Sequence, residues 1–311
     1  MSVLLEIDLP VPLFRRGKVR NVYDLGDKLL IVSTDRISAF DVVLPCGIPD
    51  KGMVLNQLSA FWFKKTAHIL PNHLIKVIDS TDIVRDVIAR AGSTKQSQWE
   101  RDSSLALATS LIGRSMLVAK AERVPVECVV RGYLSGSAWE EYRETGKVGR
   151  IQLPSGMKES QELPRPIFTP TTKGDTEHDR PLTDQDIKDL EIEDLFEELE
   201  EKSLLIYSYA RDYAVTRGII IADTKFEFGF VDGQLALIDE LLTPDSSRFW
   251  DAGQYKVGHS QPSFDKQPVR DWLSASGWDK RPPAPVLPSE VIERTSRRYR
   301  DVYSKLTGEV L

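Results

Sequence analysis

The stretch from Ile219 to Asp251, IIIADTKFEFGFVDGQLALIDELLTPDSSRFWD, constrains the fold more than any other part of this chain. Charged and aromatic residues alternate in it, which predicts a β-strand, because successive side chains of a strand point to opposite faces. Asp223, Lys225 and Glu227 therefore share one face, and the other face is expected to enter the core. Three neighbouring charges are costly to cover with protein unless they pair or hold an ion. Two interpretations stay open: a half-exposed, salt-bridged strand face, or a site for a metal ion and phosphate groups.

The same stretch predicts a hairpin whose return strand ends on Asp239 and Glu240. If its turn contains two residues, Val231 pairs with Gln234, and strict alternation places Glu240 on the charged face. If the loop contains three residues and a bulge, the register shifts and Asp239 faces Lys225 instead. The sequence is compatible with both registers.

The composition describes an ordinary globular chain of 311 residues, long enough for one large or two modest domains. A formal net charge of −6 disfavours a nucleic-acid binder, which normally carries a basic surplus. No run approaches the roughly eighteen apolar residues of a membrane span, and the N-terminal region lacks the apolar run of a signal peptide. Cys46 and Cys128 lie outside any CxxC pattern, which indicates reduced thiols. We therefore expect a cytoplasmic protein without a nucleic-acid or membrane partner.

The order of the predicted elements indicates the α+β class, with strands early, mixed structure in the middle and helices at the end. Gly, Pro and Thr are frequent in residues 146–182, which predicts a long loop, and such loops are often functional. The predicted elements are a hairpin within 18–35, a helix at 53–70, two apolar strands within 115–134, helices at 137–146 and 183–218, the hairpin described above, and helices around 269–277 and 290–306.

A glycine and two cations, Gly17-Lys18-Val19-Arg20, open the first predicted hairpin. Glycine lets a ligand approach the backbone closely, and cations at alternate strand positions face the same side, where they suit a polyphosphate. The segment is not a P-loop, which requires G-x-x-x-x-G-K-[ST]. The alternative interpretation is an ordinary basic strand end.

The segment RGYLSGSAW places Arg131 at the end of an apolar strand and Ser137 at the start of a helix. Gly132 and Gly136 make the backbone between them permissive. Free N–H groups at a helix N-terminus, with a serine hydroxyl and a nearby arginine, suit an anion. The alternative is that Ser137 only caps the helix.

Three other polar segments follow predicted strands or lie in loops. STDRISAFD (33–41) fits a binding loop or plain turn chemistry. TPTTKGDTEHD (169–179) matches no zinc motif, and four histidines in the whole chain disfavour a transition-metal cluster. TPDSSRFWD (243–251) contains no G-x-S-x-G, which disfavours a hydrolase triad.

With these segments in this order, the chain resembles the SAICAR synthetases, the phosphoribosylaminoimidazole-succinocarboxamide synthases of purine biosynthesis. VPVECVVRGYLSGS (124–137) is similar to one family signature, and IADTKFEFG (221–229) is similar to a second. GKVRNVYD, STDRISAFD, GDTEHD and DELLTPDSSRFWD agree with further family blocks. Leu134 departs from the usual residue at a variable position of the first signature. The segment 146–168 and the tail KVGHSQPSFDKQPVRDWL are similar to the monofunctional eukaryotic type.

The resemblance implies a two-lobed ATP-dependent ligase that is a monomer. Residues 1–122 would form an antiparallel, β-rich ATP-binding lobe, and residues 123–311 a larger α+β lobe that binds substrate and Mg²⁺ and ends in helices. In the family's reaction, ATP phosphorylates the carboxylate of carboxyaminoimidazole ribotide (CAIR) to an acyl phosphate. The amine of L-aspartate then displaces phosphate, which gives SAICAR, ADP and phosphate. The alternatives are a similar ligase or phosphotransferase for a different carboxylate, and an inactive nucleotide-binding module.

The resemblance also implies roles for single residues, many of them cations, because several anionic groups meet in this reaction. Lys225 would neutralise the transferred phosphoryl group, and Asp223 would orient Lys225 or a water molecule. Mg²⁺, which prefers hard oxygen ligands, would bind Glu227 and Asp239. The ATP-binding residues would be Gly17, Lys18, Val19, Arg20, Lys120 and Glu122. The substrate-binding residues would be Arg131, Ser137 and Arg248, with Asp35, Ser38, Lys173 and Asp179 as further candidates.

Overall fold

The computed structural model describes residues 3–90, 103–173 and 180–311. This part of the chain combines helices with antiparallel sheets, so the predicted α+β class is confirmed. The strands are β1 (Leu13–Arg16), β2 (Arg20–Asp24), β3 (Lys28–Ser33), β4 (Arg36–Ala39), β5 (Val42–Gly47), β6 (Leu74–Val77), β7 (Ser115–Ala119), β8 (Glu122–Tyr133), β9 (Lys147–Val148), β10 (Ile151–Gln152), β11 (Glu162–Phe168), β12 (Thr171–Thr172), β13 (Ile219–Val231), β14 (Gln234–Ile238) and β15 (Ser247–Asp251). The helices are α1 (Lys51–Thr66), α2 (Thr81–Arg90), α3 (Ser103–Leu111), α4 (Ser137–Thr145), α5 (Asp184–Asp189), α6 (Glu193–Val215), α7 (Gln267–Ala275) and α8 (Ser289–Thr307).

Contacts divide the chain into two compact units. The first contains Met1–Phe61, His73–Lys120 and Lys266–Leu311, and the second contains Trp62–Asn72 and Ala121–Asp265. The predicted division at residues 122 and 123 assigns functions to two lobes, and that assignment stays a prediction. The two compact units differ from this predicted division mainly because residues 266–311 group with the N-terminal strands.

The first unit is built on a five-stranded antiparallel sheet in the order β1-β2-β3-β7-β6, whose apolar side chains pack with those of α2 and α3. A second core surrounds the β4–β5 hairpin. Its buried members are Ile37, Ala39, Leu44, Ile48, Val269, Leu273, Leu287 and Val291. Because α7 and α8 bury the apolar side of this hairpin, residues 266–311 belong with the N-terminal strands.

Helix α8 also fixes the polar loop that leads into α1. The hydroxyl of Ser296 donates to the carbonyl oxygen of Pro49 at 2.8 Å, and Arg300 Nη1 donates to Asp50 Oδ2 at 2.7 Å. Asp50 is buried and has a left-handed backbone, with a φ of 66°. The C-terminal helix therefore holds a loop conformation that a residue other than glycine rarely adopts.

The second unit is built on a six-stranded antiparallel sheet in which β13 is central, with β8 on one side and β14 and β15 on the other. Helix α6 packs against β13 and β8. The buried Tyr207 of this helix donates its hydroxyl to the carbonyl oxygen of Ile221 at 2.7 Å. A Cβ atom on Gly132 would lie 1.9 Å from that hydroxyl oxygen, so only glycine fits at this position of β8.

The hairpin of β13 and β14 has the two-residue turn. Val231 pairs with Gln234, and the turn residues Asp232 and Gly233 both have left-handed φ values, 50° and 78°. This geometry matches the right-handed twist of the strands, so the first of the two predicted registers is the one found. The residue after β14, Asp239, is also left-handed, with a φ of 67°, and the regular strand ends there.

The region 146–182, predicted as a long loop, contains four short strands among its described residues. Strands β9 and β10 pair with each other, whereas β11 and β12 both pair with β8 and widen the main sheet. Three of these strands contain two residues, too short to show the alternation on which the prediction depended. The fourth, β11, contains Pro164 and Pro166, and proline weakens a strand signal. Within the described ranges, none of the helices combines the length and the apolar character that a membrane crossing requires.

Candidate active site

The charged face of β13 continues across the sheet onto its neighbours. Asp223 lies opposite Arg131 of β8, and Glu227 lies opposite Glu127 of the same strand. On the other side, Arg248 of β15 also lies opposite Asp223. Because residues that face each other in a ladder share one face of the sheet, three adjacent strands contribute charges to a single surface.

Asp223 is buried between two arginines. Its Oδ2 accepts a hydrogen bond from Arg131 Nη1 at 3.3 Å and another from Arg248 Nη1. Arg131 is held at a second point, because its Nε donates to Thr169 Oγ1 at 3.0 Å. One carboxylate thus fixes two guanidinium groups, and the three side chains together keep a positive charge.

Both arginines are charged at physiological pH. The Asp223 carboxylate raises the pKa of Arg248 and outweighs the opposing effect of burial. Burial lowers the pKa of Arg131, and Asp223 offsets part of this shift. A guanidinium keeps its proton in proteins even so. Two charged, oriented guanidinium groups suit a phosphate or carboxylate ligand.

Two lysines and two glutamates form a second group on the same face. Glu127 is only 5% exposed, and its Oε1 accepts a hydrogen bond from Lys225 Nζ at 2.8 Å and lies 3.2 Å from Lys173 Nζ. Lys173 Nζ also contacts Glu227 Oε1. Asp223, predicted to orient Lys225 or a water molecule, contacts the two arginines, and the carboxylate hydrogen-bonded to Lys225 is that of Glu127.

The surroundings of Lys225 keep it protonated. Burial lowers its pKa, but the carboxylates of Glu127, Glu227 and Glu240 outweigh burial and raise the pKa above its ordinary value. Glu127 was absent from the predicted site residues. The signal was a single acid within the apolar run VPVECVV, where a charge without a partner would be costly.

The end of β14 brings Glu240 toward Lys225, as the two-residue turn predicts. Glu240 is among the carboxylates that raise the pKa of Lys225, and its Oε2 accepts a hydrogen bond from Thr243 Oγ1 at 2.5 Å. The left-handed backbone of Asp239 interrupts the alternation one residue earlier. The assignment of Asp239 as a metal ligand stays a prediction.

The acids of this face suit a divalent cation that keeps part of its water shell. In the part of the chain that the structure describes, no three acidic, histidine or cysteine side chains form a metal-binding group. Mg²⁺ does not need such a cage, since it commonly binds through one or two carboxylates and takes its other oxygens from water and phosphates. Glu227 and the predicted ligand Asp239 are donors of that number and type, so the donor chemistry fits the ion.

The start of α4 packs against Arg248. A Cβ atom on Gly136 would lie 2.4 Å from Arg248 Nη2, and the φ of Gly136 is 56°, so both space and backbone require glycine. Gly136 is the N-cap of α4, which has no side-chain cap, so the alternative that Ser137 caps the helix is wrong. Ser137 is exposed, and the buried hydroxyl of Ser135 has no hydrogen-bond partner among the described residues. These groups suit an anion at the helix N-terminus.

In the first unit, the predicted phosphate-binding segment, residues 17–20, contains the turn after β1 and the first residue of β2 and is held by the buried Arg36. The Arg36 guanidinium donates to the carbonyl oxygens of Gly17 at 3.0 Å and Lys18 at 3.1 Å. The side chain of Lys18 is exposed and pairs with Asp41 at 2.6 Å. The segment therefore has a fixed backbone with its lysine at the surface.

Asp35 is held by contacts inside the first unit. It is fully buried, and its carboxylate accepts hydrogen bonds from the N–H groups of Leu4 at 2.8 Å and Gly52 at 2.9 Å and pairs with Arg114 at 3.0 Å. The substrate contact predicted for Asp35 is disfavoured, because a ligand would have to replace these partners. Ser38 is buried in β4.

The remaining predicted residues are in different settings. Lys120 Nζ donates to Asp24 Oδ2 at 2.9 Å, which lowers the pKa of Asp24, and lies 5.3 Å from the centroid of the exposed Phe14 ring. Glu122, in the second unit, is the exposed first residue of β8. Asp179 lies outside the described residues. The ATP contacts predicted for Lys120 and Glu122 stay predictions.

Comparison with known proteins gives one consistent family. The family model for SAICAR synthetase matches residues 13–285. The phosphoribosylaminoimidazole-succinocarboxamide synthases of Geotalea uraniireducens and Thermodesulfovibrio yellowstonii are 50% and 48% identical to this chain over 310 and 308 residues. Each alignment covers 99% of both chains.

Solved structures agree. A SAICAR synthase from Saccharomyces cerevisiae complexed with SAICAR superimposes with a TM-score of 0.84 at 43% identity and covers 98% of both chains. A SAICAR synthetase in complex with ADP superimposes with a TM-score of 0.65 at 27% identity, over 96% of this chain and 98% of the other. The resemblance drawn from the two signatures is confirmed at the level of the family. The chain belongs to the SAICAR synthetase family.

Proposed function

We propose that this chain is the SAICAR synthetase of purine biosynthesis, which joins the carboxylate of CAIR to the amine of L-aspartate with ATP as phosphoryl donor. The products are SAICAR, ADP and phosphate. Family membership over residues 13–285 supports the reaction. The relatives whose structures contain SAICAR and ADP support the product and the nucleotide.

The observation that carries this function is the charged face shared by β8, β13 and β15. A free carboxylate is a poor electrophile, so its conversion to an amide requires activation, here as an acyl phosphate. ATP, the ribotide phosphate, the ribotide carboxylate and aspartate bring several negative charges to one place. The face offers two arginines around Asp223 and two lysines around Glu127, which matches a reaction that depends on charge stabilisation and alignment.

In this proposal Arg131, Arg248 and Ser137 bind the phosphate and carboxylate of the ribotide. Asp223 acts by holding both guanidinium groups in place before substrate arrives. The exposed Ser137 at the start of α4 and the buried hydroxyl of Ser135 add donors beside Arg248. The positive end of the helix dipole further favours an anion there.

Lys225 neutralises the phosphoryl group as it passes from ATP to the ribotide carboxylate. Its raised pKa keeps the ammonium charged, as this role requires. Lys173, with Ser38 and Asp179, is assigned to contacts with the ribotide or with aspartate. Asp35 is the weakest of the substrate candidates because its partners already bury it.

ATP binding is assigned to both ends of the predicted N-terminal lobe, residues 1–122. Lys18 and Arg20 hold phosphates at the segment that also contains Gly17 and Val19, and adenine lies near Lys120 and Glu122. Glu227 and Asp239 would hold Mg²⁺, whose charge offsets that of the phosphates when it is bound. Residues 123–311 form the substrate lobe in this assignment.

We further propose a monofunctional enzyme of the eukaryotic type, present as a monomer in the cytoplasm. The identity of 43% to the yeast chain over 98% of both lengths supports this type. Bacterial relatives are more similar, at 48% and 50% identity, so a bacterial type is the alternative.

An assay of ADP release tests the function. The purified protein is given ATP and Mg²⁺ with CAIR and L-aspartate, and each substrate is omitted in turn. We expect sustained ADP release only when both are present. Release with another carboxylate in place of CAIR, and none with CAIR, would instead identify a ligase for a different substrate.

A further inference from the structure

Glu127 is a buried acid for which the reaction as proposed above has no role. It lies directly opposite Glu227 in the ladder of β8 and β13. Two like charges facing each other on adjacent strands destabilise a sheet. Burial adds to this cost, because a desolvated carboxylate needs close partners.

Two lysines supply these partners, and they divide unequally between Glu127 and Glu227. Lys225 Nζ donates to Glu127 at 2.8 Å. Lys173 Nζ lies 3.2 Å from Glu127 and also contacts Glu227. Lys173 thus bridges the two carboxylates. Its ammonium contacts the Glu227 carboxylate, where a divalent cation would also be favoured. The four charges sum to zero.

We propose that Glu127 is a positioning residue that retains both lysines when Glu227 binds a divalent cation. A cation at Glu227 repels the Lys173 ammonium, and Glu127 is the carboxylate that can keep this lysine beside the site. The same carboxylate fixes Lys225 for its contact with the phosphoryl group. This inference rests on the proposed function, in which Glu227 is a metal ligand and Lys225 acts on the phosphoryl group.

The arrangement predicts an indirect effect on metal binding. Without the Glu127 carboxylate, Glu227 is the remaining partner of Lys173 in this group, so a metal ion must displace a full lysine–carboxylate pair. Glu127→Gln is therefore expected to weaken metal binding although Glu127 is not a ligand. Adding Lys173→Met to the same protein removes the competing ammonium and is expected to restore metal binding.

Mn²⁺ binding in the presence of saturating ADP tests this, measured from the electron paramagnetic resonance signal of free Mn²⁺. We expect Glu127→Gln to raise the dissociation constant about tenfold or more, as loss of an outer-shell partner does at metal sites. The double variant Glu127→Gln/Lys173→Met is expected to return close to wild type. Glu162→Gln, an exposed acid on β11 of the same sheet, is the matched control and is expected to leave the constant unchanged.

Each other outcome overturns the proposal. If the Mn²⁺ dissociation constant of Glu127→Gln equalled that of the wild type, Glu127 would have only a packing role. A double variant as weak as the single one would make Glu127 a direct ligand. If wild-type protein turned over CAIR and bound Mn²⁺ with ADP, such results would reject the inference and keep the function. If the wild type did neither, the proposed function itself would fail.

Steady-state kinetics separate the effect on Lys225 from a general loss of structure. Glu127→Gln is expected to lower kcat strongly and to raise the KM for CAIR much less than Arg131→Ala does, because Asp223 holds the ribotide-binding arginines independently. Glu127→Asp keeps the charge with a shorter reach and is expected to recover part of kcat. Equal losses in Gln and Asp variants that unfold at the wild-type temperature would contradict the positioning role.

Discussion

At the scale of single residues, the site depends on which carboxylate holds which cation. Asp223 takes the two arginines, and Glu127 takes Lys225 and shares Lys173 with Glu227. The two groups use different partners, so substitutions in one are expected to leave the other in place. Substrate binding and phosphoryl transfer can therefore be tested separately.

Lys225→Met is expected to abolish most turnover while ATP still binds. Methionine keeps much of the bulk and the apolar stem but lacks the ammonium, which the surrounding carboxylates keep charged. We expect kcat at saturating aspartate to fall by about a hundredfold or more, and ATP affinity, measured by calorimetry, to change little. The exposed Lys188→Met is the control. Near-normal turnover in Lys225→Met would remove this lysine from the chemistry.

Arg131→Ala is expected to raise the KM for CAIR far more than the KM for ATP, because its assigned partner is an anion of the ribotide. Loss of a charge-assisted contact of about 1.5–3 kcal/mol corresponds to roughly ten- to over a hundredfold. Initial rates with each substrate varied in turn measure both constants, and Arg165→Ala, exposed on β11, serves as control. Equal effects on both constants would point to a structural role.

At the scale of elements, local patterns predicted the shared face of β13 but not the partners of its charges. The alternation in IADTKFEFG is enough to place Asp223, Lys225 and Glu227 together, because the strand period is two. The partner of Lys225 was missed because Glu127 lies 98 residues away along the chain. Burial of Asp35 likewise depends on distant groups, Arg114 among them. Such contacts are made by topology and cannot be read from a local pattern.

The register of the β13–β14 hairpin shows, within one element, what a local pattern can and cannot predict. The Asp232-Gly233 pair favours a tight turn, and the structure has the two-residue form. The left-handed backbone at Asp239 has no such local signal, since aspartate is only moderately tolerant of that conformation. The orientation of Glu240 therefore follows from the turn, whereas the backbone conformation of Asp239 was beyond prediction from the sequence.

Gly132→Ala is expected to destabilise the second unit by about 1–3 kcal/mol, because the new Cβ would overlap the Tyr207 hydroxyl. Tyr207→Phe removes that hydroxyl and its bond to the Ile221 carbonyl, at a cost of about 1 kcal/mol. In the double variant part of the clash is gone, so we expect a loss smaller than the sum of the two. Urea unfolding of the three variants measures this, and strict additivity would show that the two positions do not meet.

At the scale of the whole molecule, the route of the oxygen atoms tests the complete reaction. With ¹⁸O in the carboxylate of CAIR, activation by ATP is expected to transfer one label to inorganic phosphate, which mass spectrometry detects. The reason is that the carboxylate oxygen that attacks phosphorus leaves with the phosphate when aspartate displaces it. Unlabelled phosphate would rule out carboxylate activation by ATP, and with it the role given to Lys225.

A ribosome synthesises this chain from its N-terminus, so residues 269–291 emerge almost last. The hairpin of β4 and β5 must wait for them, because Val269, Leu273 and Val291 complete its core. The strands of the second unit all lie before residue 266 and can pair earlier. Nascent chains arrested when residue 265 has just left the ribosomal exit tunnel are therefore expected to be cut by protease at the β4–β5 hairpin while β13 resists, and released chains that include residue 311 to resist at both. For a long part of its synthesis, the β4–β5 hairpin therefore exposes apolar side chains that only the last helices will cover.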